Sequence, residues 1–130
     1  MKNITLTLII ILALHGCRDQ DELSMERGEY YYSVNRLQDA VLEYKEVINS
    51  YPNDMSTLDS HTIAMLANAH HNLSVIMFKR GYESSDIVEK SLYLQKANAE
   101  ARIAYDLVPK DVYKETWDKI QKTIKNITSS

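Results

Sequence analysis

Apolar residues recur along this chain at intervals of three and four. Leu37, Ala40, Val41, Tyr44, Val47, Ile48 and Tyr51 form the clearest run. On a helix of 3.6 residues per turn these positions share one face, so the spacing predicts an amphipathic helix over about 37–50. Tyr51-Pro52-Asn53-Asp54 stops it. The same test predicts four more helices. One over about 21–34 carries Leu23, Tyr30, Tyr31 and Val34, and its acidic start (Asp19, Asp21, Glu22) suits a helix N-terminus. The next starts from a Ser60 or Ser56 cap and runs to about Arg80, with Ile63, Leu66, Ala67, His70, Leu73 and Met77 on one face. Gly81 is placed to end it in the left-handed conformation. A polar stretch over 81–86 leads to a helix over about 87–107, through Leu94, Ala97, Ala101 and Ala104, which Pro109 stops. The last, over about 111–127, carries Tyr113, Trp117, Ile120, Ile124 and Ile127 at alternating spacings of four and three.

Glycine and proline are scarce, three and two in 130 residues. Such a chain lacks the turn chemistry of a many-stranded β protein, and the fold class expected is all-α. The net charge of -3 includes no clustered basic surface, so no nucleic-acid partner is expected.

The N-terminus is set apart. After Met1-Lys2-Asn3, residues Ile4 to Leu14 are apolar except for Thr5 and Thr7. A bilayer-spanning helix needs about 20 apolar residues, so this run of eleven suits the apolar region of a secretory signal instead. The run ends Leu14-His15-Gly16-Cys17, and Cys17 is the only cysteine of the chain. These four residues resemble the lipobox of bacterial lipoproteins, with Leu14, Gly16 and Cys17 matching and His15 standing where the family usually has something smaller. The resemblance implies cleavage after Gly16 and lipidation of Cys17. It divides the chain into a signal peptide over 1–16, a lipidated tether over 17–20 and a helical domain over 21–128. Removing 16 of the 130 residues leaves 114, enough for one domain. A lone cysteine forms no intrachain disulfide, which fits a residue used for lipid. In that family an aspartate directly after the cysteine tends to retain the protein at the inner membrane. Here Arg18 holds that position, which implies the outer membrane, facing the periplasm. An ordinary cleaved signal with Cys17 incidental is the alternative.

A second resemblance lies in the first two helices. Gly28-Glu-Tyr-Tyr31, Ala40-x-x-x-Tyr44 and Pro52 fall at mutual spacings of twelve. The region 21–54 thus resembles one tetratricopeptide repeat, a helix-turn-helix unit, with Ser24 and Arg27 where tryptophan and leucine are common. A more degenerate second unit runs from Leu73-Ser74-x-x-Met77 to Ala97-x-x-x-Ala101, Ala104 and Pro109, with eleven residues more than the pattern between Ser74 and Ala97. The resemblance implies about two helical hairpins plus a C-terminal capping helix, stacked because one hairpin cannot bury its stripe alone. It also implies that the first helix of each hairpin lines a concave groove for a protein segment. Tyr32, Asn35, His71 and Lys79 are the candidate partner-binding residues there. Three consecutive tyrosines, 30–32, cover about 200° of a helix surface, so Tyr31 should pack while Tyr30 or Tyr32 stays partly exposed.

Catalytic chemistry is hard to place. His70 and His71 are adjacent and point about 100° apart, whereas paired metal-binding histidines on a helix stand four apart. His61 faces elsewhere. No glycine-rich phosphate loop and no nucleophile elbow is present. The expectation is therefore no enzyme, no metal and no cofactor. His70 is expected to be packed. Lys114, Lys119, Lys122 and Lys125 are expected on the outer face of the last helix, as a solubilising cap or else a basic docking face. The sequence points to a lipid-anchored adaptor or assembly factor that holds another protein at the bacterial cell envelope. A helical binder of a small ligand or peptidoglycan fragment is the alternative, and self-association through the Trp117 face is a further one.

Overall fold

The computed structural model describes residues 19–129, and the predicted signal segment and Cys17 lie outside the described residues. Among the described residues the fold is all-α. The helices are α1 (Gln20–Ser33), α2 (Leu37–Asn49), α3 (Ser60–Glu83), α4 (Ile87–Leu107) and α5 (Asp111–Thr128), with a short 3-10 turn over Met55–Thr57. Each helix packs chiefly on its neighbours in sequence, and α3 also touches α5. The result is two helical hairpins, α1–α2 and α3–α4, with α5 laid against α4. No described helix is long and apolar enough to cross a membrane.

Aspartates open three of the helices. Asp19 accepts from the backbone N–H of Asp21 at 3.4 Å, Asp59 from that of Thr62 at 2.7 Å, and Asp86 from that of Glu89 at 2.8 Å. Each satisfies an orphan donor of the first turn. Asp59 therefore caps α3, in place of the expected Ser60 or Ser56. Gly81 also departs from expectation. Among the described residues no glycine has a positive φ, and α3 runs on to Glu83. A Cβ at Gly81 would sit 3.0 Å from Leu94 Cγ and 3.2 Å from the Lys90 carbonyl oxygen. This glycine lets α3 and α4 approach; it does not end a helix. The first half of the polar stretch 81–86 belongs to α3, and Ser84, Ser85 and Asp86 link α3 to α4. The left-handed residue is Asn35, with φ 59° in the α1–α2 turn. Its neighbour Arg36 donates its backbone N–H back to the Tyr31 carbonyl at 2.8 Å, and Asn35 donates to Tyr32 at 3.0 Å. This is a Schellman closure with asparagine in the usual glycine position, and the Arg36 guanidinium covers the Tyr31 ring at 4.6 Å.

Small residues set the helix crossings. Ala40 on α2 and Ala97, Ala101 and Ala104 on α4 are fully buried, as expected. Ala40, Ala97 and Ala101 lie among Val47, Leu66, Leu73, Ile76 and Ile120, which form the centre of the core, and Ala104 packs with Ala67 and Tyr113. Gly28 is the tightest position. A Cβ there would lie 2.6 Å from Tyr44 Cε1, because the Tyr44 ring of α2 passes directly beneath α1.

Polar ties fasten the first hairpin where an apolar contact would be the simpler choice. Ser24 is fully buried, and its Oγ accepts from Arg27 Nη2 at 2.9 Å. Arg27 also pairs with Glu43 of α2 at 2.8 Å, which raises the guanidinium pKa further. The buried Asp21 carboxylate accepts from Ser50 Oγ at 2.8 Å. It also accepts from the Tyr51 hydroxyl, and that bond is the main reason the Tyr51 pKa is pushed up to about 12.

On α5, Tyr113 and Ile120 are buried and Trp117 and Ile124 pack on the core. Trp117 Nε1 donates to Asn98 Oδ1 at 2.9 Å, and its ring lies 5.9 Å from that of Tyr105. The Trp117 face is thus turned inward. Lys114, Lys119, Lys122 and Lys125 are exposed. At the start of α4, Ile87, Val88 and Leu92 stand in solvent.

Gly28→Val should lower the denaturant midpoint by the equivalent of about 1–3 kcal/mol, the usual cost of overpacking a filled site. Combining it with Tyr44→Ala should give less than the sum of the two losses, because the second change removes the ring that the valine meets. A Gly28→Val protein as stable as the parent would show that Tyr44 does not pack there.

Candidate functional site

A concavity runs along the face where α1, α3 and α5 come together. It is an open groove of about 690 Å³. From α1 it takes Glu22, Met25, Glu26 and Glu29, which recur on one side of that helix. From α3 it takes His61, Ala64, Met65, Asn68, His71 and Asn72. Lys110, Val112 and Tyr113 complete it from the start of α5. A smaller recess of about 150 Å³ adjoins it through the shared Glu29 and Asn72, and adds Tyr32, Tyr44 and Val75. The floor is therefore apolar or amide-bearing, and the charges stand at the rims.

His71 lines the groove, and Tyr32 lines the recess that adjoins it. Tyr32 is 41% exposed and edges the smaller recess, while Tyr31 packs on the core and Tyr30 points outward at 62% exposure. His71 is half-buried. Its ring lies 4.7 Å from that of Tyr113, and its Nε2 is 3.0 Å from Thr116 Oγ1. Burial pushes its pKa below the ordinary 6.5, while a hydrogen bond with Asn72 works weakly the other way. The imidazole is thus neutral at pH 7 and fastens α5 to α3. Asn35 and Lys79 are spent on each other: Lys79 Nζ donates to Asn35 Oδ1 at 3.0 Å. That bond ties the α1–α2 turn to α3.

Other groove residues escaped the sequence reading. Glu22, Glu26 and Glu29 fall at helical spacing and could have been read as a row on α1. Nothing in the sequence alone places them opposite α5. The helical spacing of α2 makes Tyr44 a packing residue. Its phenol also reaches the recess, where Asn72 hydrogen-bonds to it. Desolvation, aided by the nearby Glu29 carboxylate, pushes its pKa up to about 12.

The remaining histidines serve packing and pairing. His70 is buried, with Nδ1 2.6 Å from Glu100 Oε2 of α4. His61 is exposed and lies 3.2 Å from Glu22 of α1. Among the described residues, no three His, Cys, Asp or Glu side chains gather as a metal site requires. Neither a family model, nor a curated protein, nor a solved structure matches the chain.

His71 also implies a pH dependence. Its folded-state pKa is lowered, so the unfolded chain takes up a proton below pH 6.5 that the folded chain resists. Stability is full above pH 6.5 and falls as the pH drops from there towards the folded value. Between pH 7.5 and 5, His71→Phe should lose less stability in denaturant melts than the parent, whose buried imidazole resists the proton. Equal losses would mean that the ring is not held in its neutral form.

Proposed function

We propose that this chain is a lipid-anchored adaptor of the bacterial cell envelope, built on tetratricopeptide-like helical hairpins, which holds a segment of another protein. The observation that carries the reading is the open groove between α1, α3 and α5, apolar along its floor and charged at its rims. A groove open along its length suits a helix or extended peptide, whereas small-molecule sites enclose most of their ligand. The first helices of the two hairpins, α1 and α3, line it together with the start of α5, and a binding face lined by first helices is what the repeat resemblance implies. Gly28 under Tyr44 and the buried Ala40 make the α1–α2 crossing at the residues that carry that resemblance. Tyr32 and Tyr113 offer large aromatic surfaces at small entropic cost. Lipidation at Cys17 would hold the groove at a membrane, since several acyl chains anchor stably where one does not. The outer membrane, facing the periplasm, is the address implied by Arg18.

Two experiments test this reading. In-cell crosslinking of the tagged full chain, with mass spectrometry of what is caught, should return one recurrent envelope protein that Tyr32→Ala releases. Self-crosslinks alone would turn the reading towards a structural role. In fractionated cells, Cys17→Ser should move the protein out of the membrane fraction, and unchanged membrane association would remove the anchor from the proposal.

A further inference from the structure

Helix α4 is apolar on two faces. Leu94, Ala97, Ala101 and Ala104 are buried on the side that meets α3 and α5. Val88, Leu92, Ala99 and Ile103 fall on the opposite side at steps of three and four, with Gln95 among them, and all are exposed. Val88 is 74% exposed and its neighbour Ile87 61%. A helix that is apolar all round is ordinarily a buried one, and steps of three and four make the seam by which one helix lies on another. Ile87, Val88, Ser91, Leu92 and Gln95 also line a shallow recess of about 390 Å³ on this face. All five belong to α4, so the other described helices leave the recess uncovered.

The charges beside this face suit a second copy of it. Glu89 and Lys96 are both exposed and stand one heptad apart on the flank nearer α3. Glu89 accepts from Ser84 Oγ at 2.6 Å, and Lys96 Nζ lies 5.9 Å over the Tyr93 ring. A two-fold axis across two antiparallel helices turns each end for end and sets like flanks side by side, so residue i meets j and j meets i. With the axis midway between Glu89 and Lys96, each copy's Glu89 meets the other's Lys96. That midpoint falls beside Leu92, in the middle of the apolar recess. The same axis lays Val88 between Gln95 and Ala99 of the second copy, where the small alanine leaves room.

From this combination we infer that the chain pairs through the outer face of α4, antiparallel about a two-fold axis, and that a second copy's α4 fills the recess. The inference goes beyond the adaptor reading and does not depend on it. The groove takes no residue from α4, so pairing leaves both grooves open. A pair would present two binding faces and hold a partner that carries two segments with added avidity. A lipid surface suits the position less well. His61 at the start of α3 stands 3.2 Å from Glu22 at the start of α1, and the 24 residues of α3 carry its other end about 36 Å away, where α4 begins. A lipid anchor at Cys17 would hold the α1 end at a bilayer, not this one.

Sedimentation equilibrium of the full chain in density-matched detergent should show a concentration-dependent dimer. Val88→Asp should raise its dissociation constant at least about tenfold, because a charge enters an apolar contact that is made twice. Circular dichroism should remain unchanged, since Val88 faces solvent in the single chain. Glu89→Lys or Lys96→Glu alone should weaken the pair by about tenfold, as like charges then meet twice. Glu89→Lys/Lys96→Glu together should restore it. Seven residues separate the two side chains by about 10 Å along one helix, so restoration reports contact between copies rather than within one. In oxidised cells Leu92→Cys should form a disulfide-linked dimer in excess over the parent chain. Leu42→Cys, at an exposed position of α2, should not exceed the parent.

A monomer at every concentration up to about 100 µM would overturn the inference and leave the face to the chain's own N-terminal segment, a lipid surface or a different protein. A dimer indifferent to Val88→Asp would overturn it too, because the copies would then meet elsewhere. So would a double exchange that binds no better than the single ones, or equal crosslinking at the two cysteine positions. The adaptor reading is judged separately, by the partner caught in cells and its release by Tyr32→Ala, and neither result decides the other.

Discussion

Close approach between helix backbones is the constraint on which this structure depends. Helix axes pack 8–10 Å apart according to the side chains between them, and the crossings here use the smallest ones. Gly28 admits the Tyr44 ring, Gly81 admits Leu94, and Ala40, Ala97, Ala101 and Ala104 are buried without exposure. The large residues then interdigitate beside these points: Leu66, Leu73, Ile76, Leu94 and Ile120 are almost wholly buried. Because α3 and α4 are long and closely apposed, they form the spine to which the shorter α1–α2 hairpin and α5 attach. The groove is the space those two attachments leave over α3.

The attachments differ in kind. On the α1 side, burial of polar groups is offset by pairing: Ser24 with Arg27, Arg27 with Glu43, and Asp21 with Ser50 and Tyr51. A buried polar group left without a partner costs about 1–3 kcal/mol, and no buried side-chain nitrogen or oxygen lacks one among the described residues. On the α5 side the contacts are aromatic, with His71 against Tyr113 and Tyr105 against Trp117. The α1 side is thus held chiefly by charged and hydroxyl groups, and the α5 side chiefly by stacked rings.

Much of the fold was legible because helical periodicity is a local property. The limits of α2, α4 and α5 were read to within a residue or so, and α1 begins at Gln20, one residue ahead of the expected start. The misreadings came where a residue type has two uses. Glycine serves both as a helix stop and as a close-packing position, and only the place of Leu94 decides between them at Gly81. Serine and aspartate both cap helices, and Asp59 stands next to Ser60. Of the four residues singled out in the sequence, His71 lines the groove and Tyr32 the recess beside it. Asn35 and Lys79 were not separable from them in sequence, because their mutual bond joins residues far apart in the chain. The acidic row on α1 was visible as spacing. Its meaning depends on α3 and α5, whose position relative to α1 is a tertiary fact.

The short connectors have a kinetic consequence. Three residues join α1 to α2 and three join α3 to α4, and each helix packs mostly on those adjacent to it in the chain. Contacts between sequence neighbours require little loop closure, so a chain of this topology belongs among the fast-folding, low-contact-order proteins. Order can also be lost from either end without dissolving the middle. The α3–α4 pair has the most extensive contact in the fold, so the terminal helices are expected to open before it. The groove has one side on each terminal element, so its shape rests on the least persistent parts of the fold, and an occupant that bridges α1 and α5 would hold both ends closed.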